Sequence, residues 1–111
     1  MSRTGHVKDS ERWSCIQPGL DYCFLCGKYN TPLDKHEVFH GTANRQKSKD
    51  LGIVVALCPA CHRLVHSNRK TDAKLQEFVQ KIYEAQGHSR EEFMSVFHKN
   101  YVRDEECLKE V

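Results

Sequence analysis

Apolar residues in this chain fall into a few short stretches separated by long polar ones. Residues 1–22 are polar and without periodicity, and Pro18-Gly19 marks a turn, so 1–19 reads as a flexible or loosely docked lead-in with Trp13 as its candidate anchor. Residues 33–40 (LDKHEVFH) alternate in part and predict a strand. Residues 41–52 (GTANRQKSKDLG) are polar and basic and read as a loop. The β-branched run Ile53-Val54-Val55-Ala56-Leu57-Cys58 predicts a second strand. Pro59 suits the first position of a helix, predicted over 59–68. Leu75, Phe78, Val79, Ile82 and Tyr83 recur at helical spacing and predict a helix over 72–86, closed by Gly87. Ser89-Arg90-Glu91-Glu92 has the form of a capping box and opens another helix bearing Phe93, Val96, Phe97 and Tyr101. The fold expected is α+β: a core over 20–70, a two-helix extension over 71–103, and an acidic tail over 104–111.

Composition adds a constraint. With 111 residues, 39% of them hydrophobic, the chain builds only a small core, which needs a staple. No apolar run approaches the roughly 20 residues that span a bilayer, and the N-terminus carries no signal-like apolar stretch. A cytoplasmic, reducing setting is therefore expected, in which cysteines serve metals more readily than disulfides. Cys23-x-x-Cys26 and Cys58-x-x-Cys61 form two matched knuckles, and four thiolates make a closed tetrahedral site suited to structural zinc. Gly27 eases the tight turn after the first knuckle. Three rivals use the same cysteines. Cys58-Pro59-Ala60-Cys61-His62 matches a haem-attachment pattern but leaves Cys23 and Cys26 unexplained. A redox dithiol lacks a surrounding βαβ pattern, and an iron–sulfur cluster would also take four cysteines. Cys15 and Cys107 receive no role.

The net charge of +2 conceals an asymmetry: residues 1–22 are neutral, 23–70 carry +5, and 71–111 carry −3. The positive block holds four of the six cysteines and four of the seven histidines, and that combination suits a polyanion. His62 and His66 stand four apart on one face of the predicted helix. With His36 and Glu37 on the preceding strand they offer nitrogen and oxygen donors for an open, catalytic metal site. Between the strands, Asn44 can orient a carbonyl or imidazole and Arg45 can clamp a phosphate through its planar fork.

These residues carry a resemblance. The first Cys-x-x-Cys, His36-Glu37-Val38-Phe39, Gly41-Thr42-Ala43-Asn44-Arg45, Ser48, Gly52, Leu57-Cys58-Pro59-Ala60-Cys61-His62 and Val65-His66 resemble the HNH endonucleases of the His-Me finger (ββα-metal) superfamily. The nearest likeness is to small HNH proteins of bacteriophages and prophages. It spans roughly residues 20–70, and Ser89–Phe93 with Lys99-Asn100-Tyr101 extends it toward 102. The resemblance implies a treble-clef-like zinc knuckle on a β-hairpin and helix, followed by two C-terminal helices. It also implies one divalent ion (Mg²⁺, Mn²⁺, Ni²⁺ or Zn²⁺) supporting phosphodiester cleavage. Carried over by residue, His36, Glu37, Asn44 and His62 become the catalytic set, and His36, His62 and His66 the ligands of that ion. The family pattern places a histidine general base where this chain has Glu37, so the base is Glu37 or His36, with His40 able to substitute. Arg45, Lys47, Lys49 and Arg63 would grip the DNA backbone, which positions the duplex without reading its sequence.

Two other readings use the same residues. One is a non-catalytic zinc-binding module for nucleic acid. The other is a protein-interaction module, with the acidic C-terminal helices docking a partner such as a phage packaging component. No membrane partner is expected.

Overall fold

The computed structural model describes residues 6–102, so the acidic tail over 104–111, with Cys107, lies outside the described residues. Among the described residues the chain is α+β, with two strands and four α-helices. The elements are β1 (Asp34–Glu37), α1 (Thr42–Leu51), β2 (Val54–Leu57), α2 (Pro59–Ser67), α3 (Arg69–Ala85) and α4 (Arg90–Phe97). β1 and β2 are antiparallel, with His36 opposite Val55 and Glu37 opposite Val54. Among the described residues, no helix is long and apolar enough to cross a membrane.

Both strands lie where alternation and β-branching predict them, at shorter length. All four residues of β2 are buried, which explains its continuous apolar run. Pro59 begins α2, and Asn68 caps α3 by accepting a hydrogen bond from the Thr71 N–H at 3.0 Å. Ser89 caps α4 in the same manner through the Glu92 N–H at 2.9 Å. His98, in the left-handed region at φ 61°, ends α4, so Tyr101 packs from beyond the helix. Leu75, Val79 and Tyr83 bury their stripe as expected, whereas Phe78 stands 56% exposed.

The stretch 41–52, read as a loop, is instead a helix over most of its length. Thr42–Leu51 has no apolar stripe, and its buried positions are Ser48 and Lys49. Hydrogen bonds take the place of apolar packing. Ser48 Oγ donates to the Phe39 carbonyl at 2.7 Å and accepts from the Phe39 N–H at 3.2 Å. Lys49 Nζ pairs with Asp9, and Lys47 Nζ donates to the Val96 carbonyl at 2.6 Å. Gly52 closes the helix at φ 75°, and its Cα faces the Trp13 indole so tightly that a Cβ would lie 2.7 Å from the ring.

The described part of the segment read as a flexible or loosely docked lead-in is held to the fold by hydrogen bonds. Val7 N–H donates to Asp50 at 2.8 Å, Cys15 N–H donates to the Gly52 carbonyl at 2.8 Å, and Ser14 Oγ donates to the Val54 carbonyl at 2.5 Å. The Gln17 side chain accepts from the Ala56 N–H at 2.8 Å, and the Phe24 N–H donates to the Ala56 carbonyl at 2.8 Å. Residues 14–24 thus cover the free edge of β2, whose backbone groups would otherwise stay unpaired.

The core joins Val55, Leu57 and Val65 to Leu75, Val79, Phe93 and Phe97. Phe39, just past β1, sits 5.0 Å from the Phe93 and Phe97 rings and 4.7 Å from Tyr101, centroid to centroid. That aromatic cluster fixes the end of β1, and the site is built around it.

Candidate functional site

Two clusters of potential ligand atoms meet at α2, one shared with the knuckle before β1 and the other with β1 itself. In the first, the sulfurs of Cys23, Cys26, Cys58 and Cys61 all lie within 4.8 Å of one another. Cys26 Sγ and Cys58 Sγ are 3.8 Å apart, far beyond the roughly 2 Å of a disulfide. Sulfurs bound at about 2.3 Å to a common tetrahedral centre stand about 3.8 Å apart, so this spacing fits one zinc-sized ion. The knuckle turn closes through the Gly27 N–H on the Cys23 carbonyl at 2.8 Å, with Gly27 at φ 79°. Burial raises the Cys23 thiol. Hydrogen bonds from backbone groups of Cys58, Cys26 and Leu25 outweigh it and bring the pKa down to about 6. Burial and the neighbouring thiols push Cys61 far up instead. Four thiols this close cannot all ionise without a cation among them. The cluster is therefore compatible with zinc, which would join the N-terminal knuckle to the start of α2.

In the second cluster, ring nitrogens of His36, His62 and His66 also lie within 4.8 Å of one another. His62 Nδ1 meets Asp34 Oδ2 at 3.0 Å, which places the proton on Nδ1 and leaves the Nε2 lone pair exposed to the cluster. His66 Nε2 stands 3.1 Å from that atom. Nitrogens held at about 2.0–2.1 Å on a tetrahedral ion stand about 3.3–3.4 Å apart, so the pair is near that spacing. His36 Nε2 is buried and has no hydrogen-bond partner among the described residues. An orphaned buried nitrogen is costly unless something binds it. Burial, with His62, His40 and His66 close by, lowers the His36 pKa to about 3, so the ring is neutral and its lone pair available. Three imidazoles with convergent ring nitrogens fit a divalent cation.

This cluster opens onto a cavity of about 460 Å³ lined by Arg12, Lys35, His36, Glu37, His40, Gly41, Arg45, His62 and His66. Glu37 is buried, with Arg12 Nε 2.5 Å from Oε2 and Arg45 Nε 3.7 Å from Oε1. Its carboxylate is already shared between two guanidinium groups. His40 stands on the same wall, its Nε2 2.9 Å from Asp72 Oδ2 at the start of α3.

The structure thus brings His36, Glu37, His62, His66 and Arg45 to one cavity. It does not bring Asn44 there: on a helix, neighbouring residues point about 100° apart, so Arg45 takes the cavity side and Asn44 does not line it. Of the four cations expected to grip DNA, Lys47 donates to the Val96 carbonyl and Lys49 pairs with Asp9, because 41–52 is a helix with a buried polar face. Arg63 is exposed on α2. Arg12 and Lys35 line the cavity instead. Arg12 comes from the segment read as a lead-in, and nothing in its local sequence marks it. Asp34 and Asp72, the partners of His62 and His40, carry no motif either. Comparison with protein-family models, curated proteins and solved structures finds no match to this chain.

Proposed function

We propose that this chain is a metal-dependent endonuclease of the HNH type, hydrolysing DNA phosphodiester bonds, with the β1–α1–β2–α2 unit acting as a ββα-metal, treble-clef-like core. The observation that carries the reading is the convergence of His36, His62 and His66 beside Arg12 and Arg45 in one cavity, next to a separate four-cysteine cluster. The two clusters divide by chemistry. The sulfur set is closed and suits folding; the nitrogen set faces open space and suits a reacting group.

In this reading His36, His62 and His66 would hold one divalent ion, and Asp34 fixes the His62 ring. The ion would supply charge to the phosphate and to the leaving 3′-oxygen. Arg12 and Arg45 present guanidinium groups to a phosphate, and Glu37 holds both in place. Glu37 is then a poor base, because its lone pairs face arginines. Lys35 and Arg63 add positive charge along the duplex without sequence selection.

The test is cleavage of supercoiled plasmid by the zinc-loaded protein with Mg²⁺, Mn²⁺, Ni²⁺ or Zn²⁺ added. Nicked or linear product is expected. His62→Ala is expected to abolish it while the bound zinc stays unchanged. Intact plasmid across all four ions, with DNA still bound, would favour a non-catalytic zinc-binding module instead.

A further inference from the structure

The cavity wall carries five groups that can accept a proton: His36, Glu37, His40, His62 and His66. Three are the converging imidazoles, whose nitrogens face one another. Glu37 is engaged by Arg12 and Arg45. His40 alone is left. We propose that His40 is the proton acceptor that activates the attacking water, and that Asp72 is its positioning residue. This deepens the hydrolytic reading above and rests on it.

The placement is built by the chain rather than by a flexible tip. Val38 and Phe39, just before His40, are fully buried. Gln76 of α3 donates to the Val38 carbonyl at 3.2 Å, and Ser48 of α1 bonds both backbone groups of Phe39. The His40 ring is then held at its own far end by Asp72, at 2.9 Å from Nε2. Its centroid lies 5.9 Å from that of His36 and 6.2 Å from that of His66, a separation one water can bridge.

The chemistry follows from which nitrogen Asp72 takes. A carboxylate accepts, so Nε2 carries the proton and Nδ1 keeps its lone pair. Nδ1 makes no hydrogen bond among the described residues. Asp72 Oδ1 is itself buried without a hydrogen-bond partner among the described residues, so this carboxylate can compensate the charge the ring acquires. In the step, a water O–H bond breaks and its proton passes to His40 Nδ1. The oxygen's electron pair forms the new P–O bond, the P–O3′ bond breaks, and the leaving oxygen takes a proton from solvent. Nothing is oxidised or reduced.

The test uses the full chain with its cysteine-site zinc. Side-chain nitrogen spectra are expected to show His40 as the Nε2–H tautomer, and Asp72→Asn is expected to remove that preference. His40→Ala is expected to bind Ni²⁺ at the imidazole cluster within about threefold of wild type, yet to cleave plasmid about 10²–10⁴-fold more slowly. An Nδ1–H tautomer at His40 in wild type overturns the proposal whether or not any variant folds. So does a His40→Ala rate within threefold of wild type, or a loss of Ni²⁺ affinity in that variant, which would make His40 a ligand or a structural residue. If wild type cuts no DNA with any ion, the hydrolytic reading itself fails, and this assignment with it.

Discussion

Arg12 reaches from the N-terminal segment to Glu37 at the end of β1, placing Nε 2.5 Å from Oε2. The pair links a segment remote in sequence to the cavity wall, and the Glu37 side chain is only 8% exposed. Removing one partner leaves the other charge buried with reduced compensation. Arg12→Ala is expected to destabilise the fold by about 2–3 kcal/mol, discounted for the residual exposure of Arg12. Joint replacement of Arg12 and Glu37 by methionine is expected to cost less. Urea denaturation at neutral pH measures both, and a loss below about 1 kcal/mol for Arg12→Ala would refute the buried-pair account.

Metal removal tests the cysteine cluster. The purified chain is expected to carry about one zinc, consistent with a four-thiolate site. Chelation or Cys58→Ser is expected to release it and to abolish cooperative melting, because ion binding supplies folding free energy to so small a core. Cys15 bonds through Sγ to the Leu51 carbonyl and stands apart from the cluster, so Cys15→Ser is expected to keep its zinc. Elemental analysis alongside circular dichroism reads both outcomes. Full zinc content in Cys58→Ser would remove that residue from the site.

The buried His36 gives the protein a pH dependence of known sign. Its folded pKa, about 3, lies below the ordinary value of 6.5, because burial and then His62, His40 and His66 disfavour the charged ring. The unfolded chain therefore binds the extra proton first. His36 contributes its full stability above pH 6.5, and that contribution falls as the pH drops toward 3. At pH 5 the loss is about 2 kcal/mol relative to pH 7.5. Denaturation of the protein holding only its cysteine-site metal is expected to show this slope, and His36→Asn is expected to flatten it. Equal slopes in the two proteins would contradict the assignment.

Ser48 is fully buried and serves both backbone groups of Phe39. Ser48→Ala strands an N–H and a carbonyl in the interior and is expected to cost about 2–3 kcal/mol. Because Phe39 leads directly to His40, the substitution is also expected to broaden the side-chain signals of His40. A change under about 1 kcal/mol in urea melts would show that the two groups find other partners.

Much of the scaffold was legible because its signals are local. β2 announces itself as a β-branched run, α3 as a stripe at 3.6-residue spacing, and two of the helix starts as Pro59 and Ser89. α1 was not legible, because its buried face is Ser48 and Lys49 held by hydrogen bonds to distant groups. A pattern of apolar residues cannot report a face that is polar. The partners of Lys47 and Lys49 were hidden for the same reason: a lysine's charge is visible in sequence, but the group it bonds is not.

The candidate site divides along the same line. Spacing alone pairs Cys23 with Cys26, Cys58 with Cys61, and His62 with His66, since two, three or four residues of knuckle or helix leave little freedom in where those side chains point. What spacing cannot set is which partners arrive from elsewhere in the chain. Arg12 on Glu37, Asp34 on His62 and Asp72 on His40 each span between 25 and 32 residues. Those pairings exist because β1 packs between the N-terminal segment, α2 and the start of α3. The sequence by itself determined the donors and their local geometry. The tertiary structure decided which donors face the cavity, which lone pairs stay free, and which charges are already spent on one another.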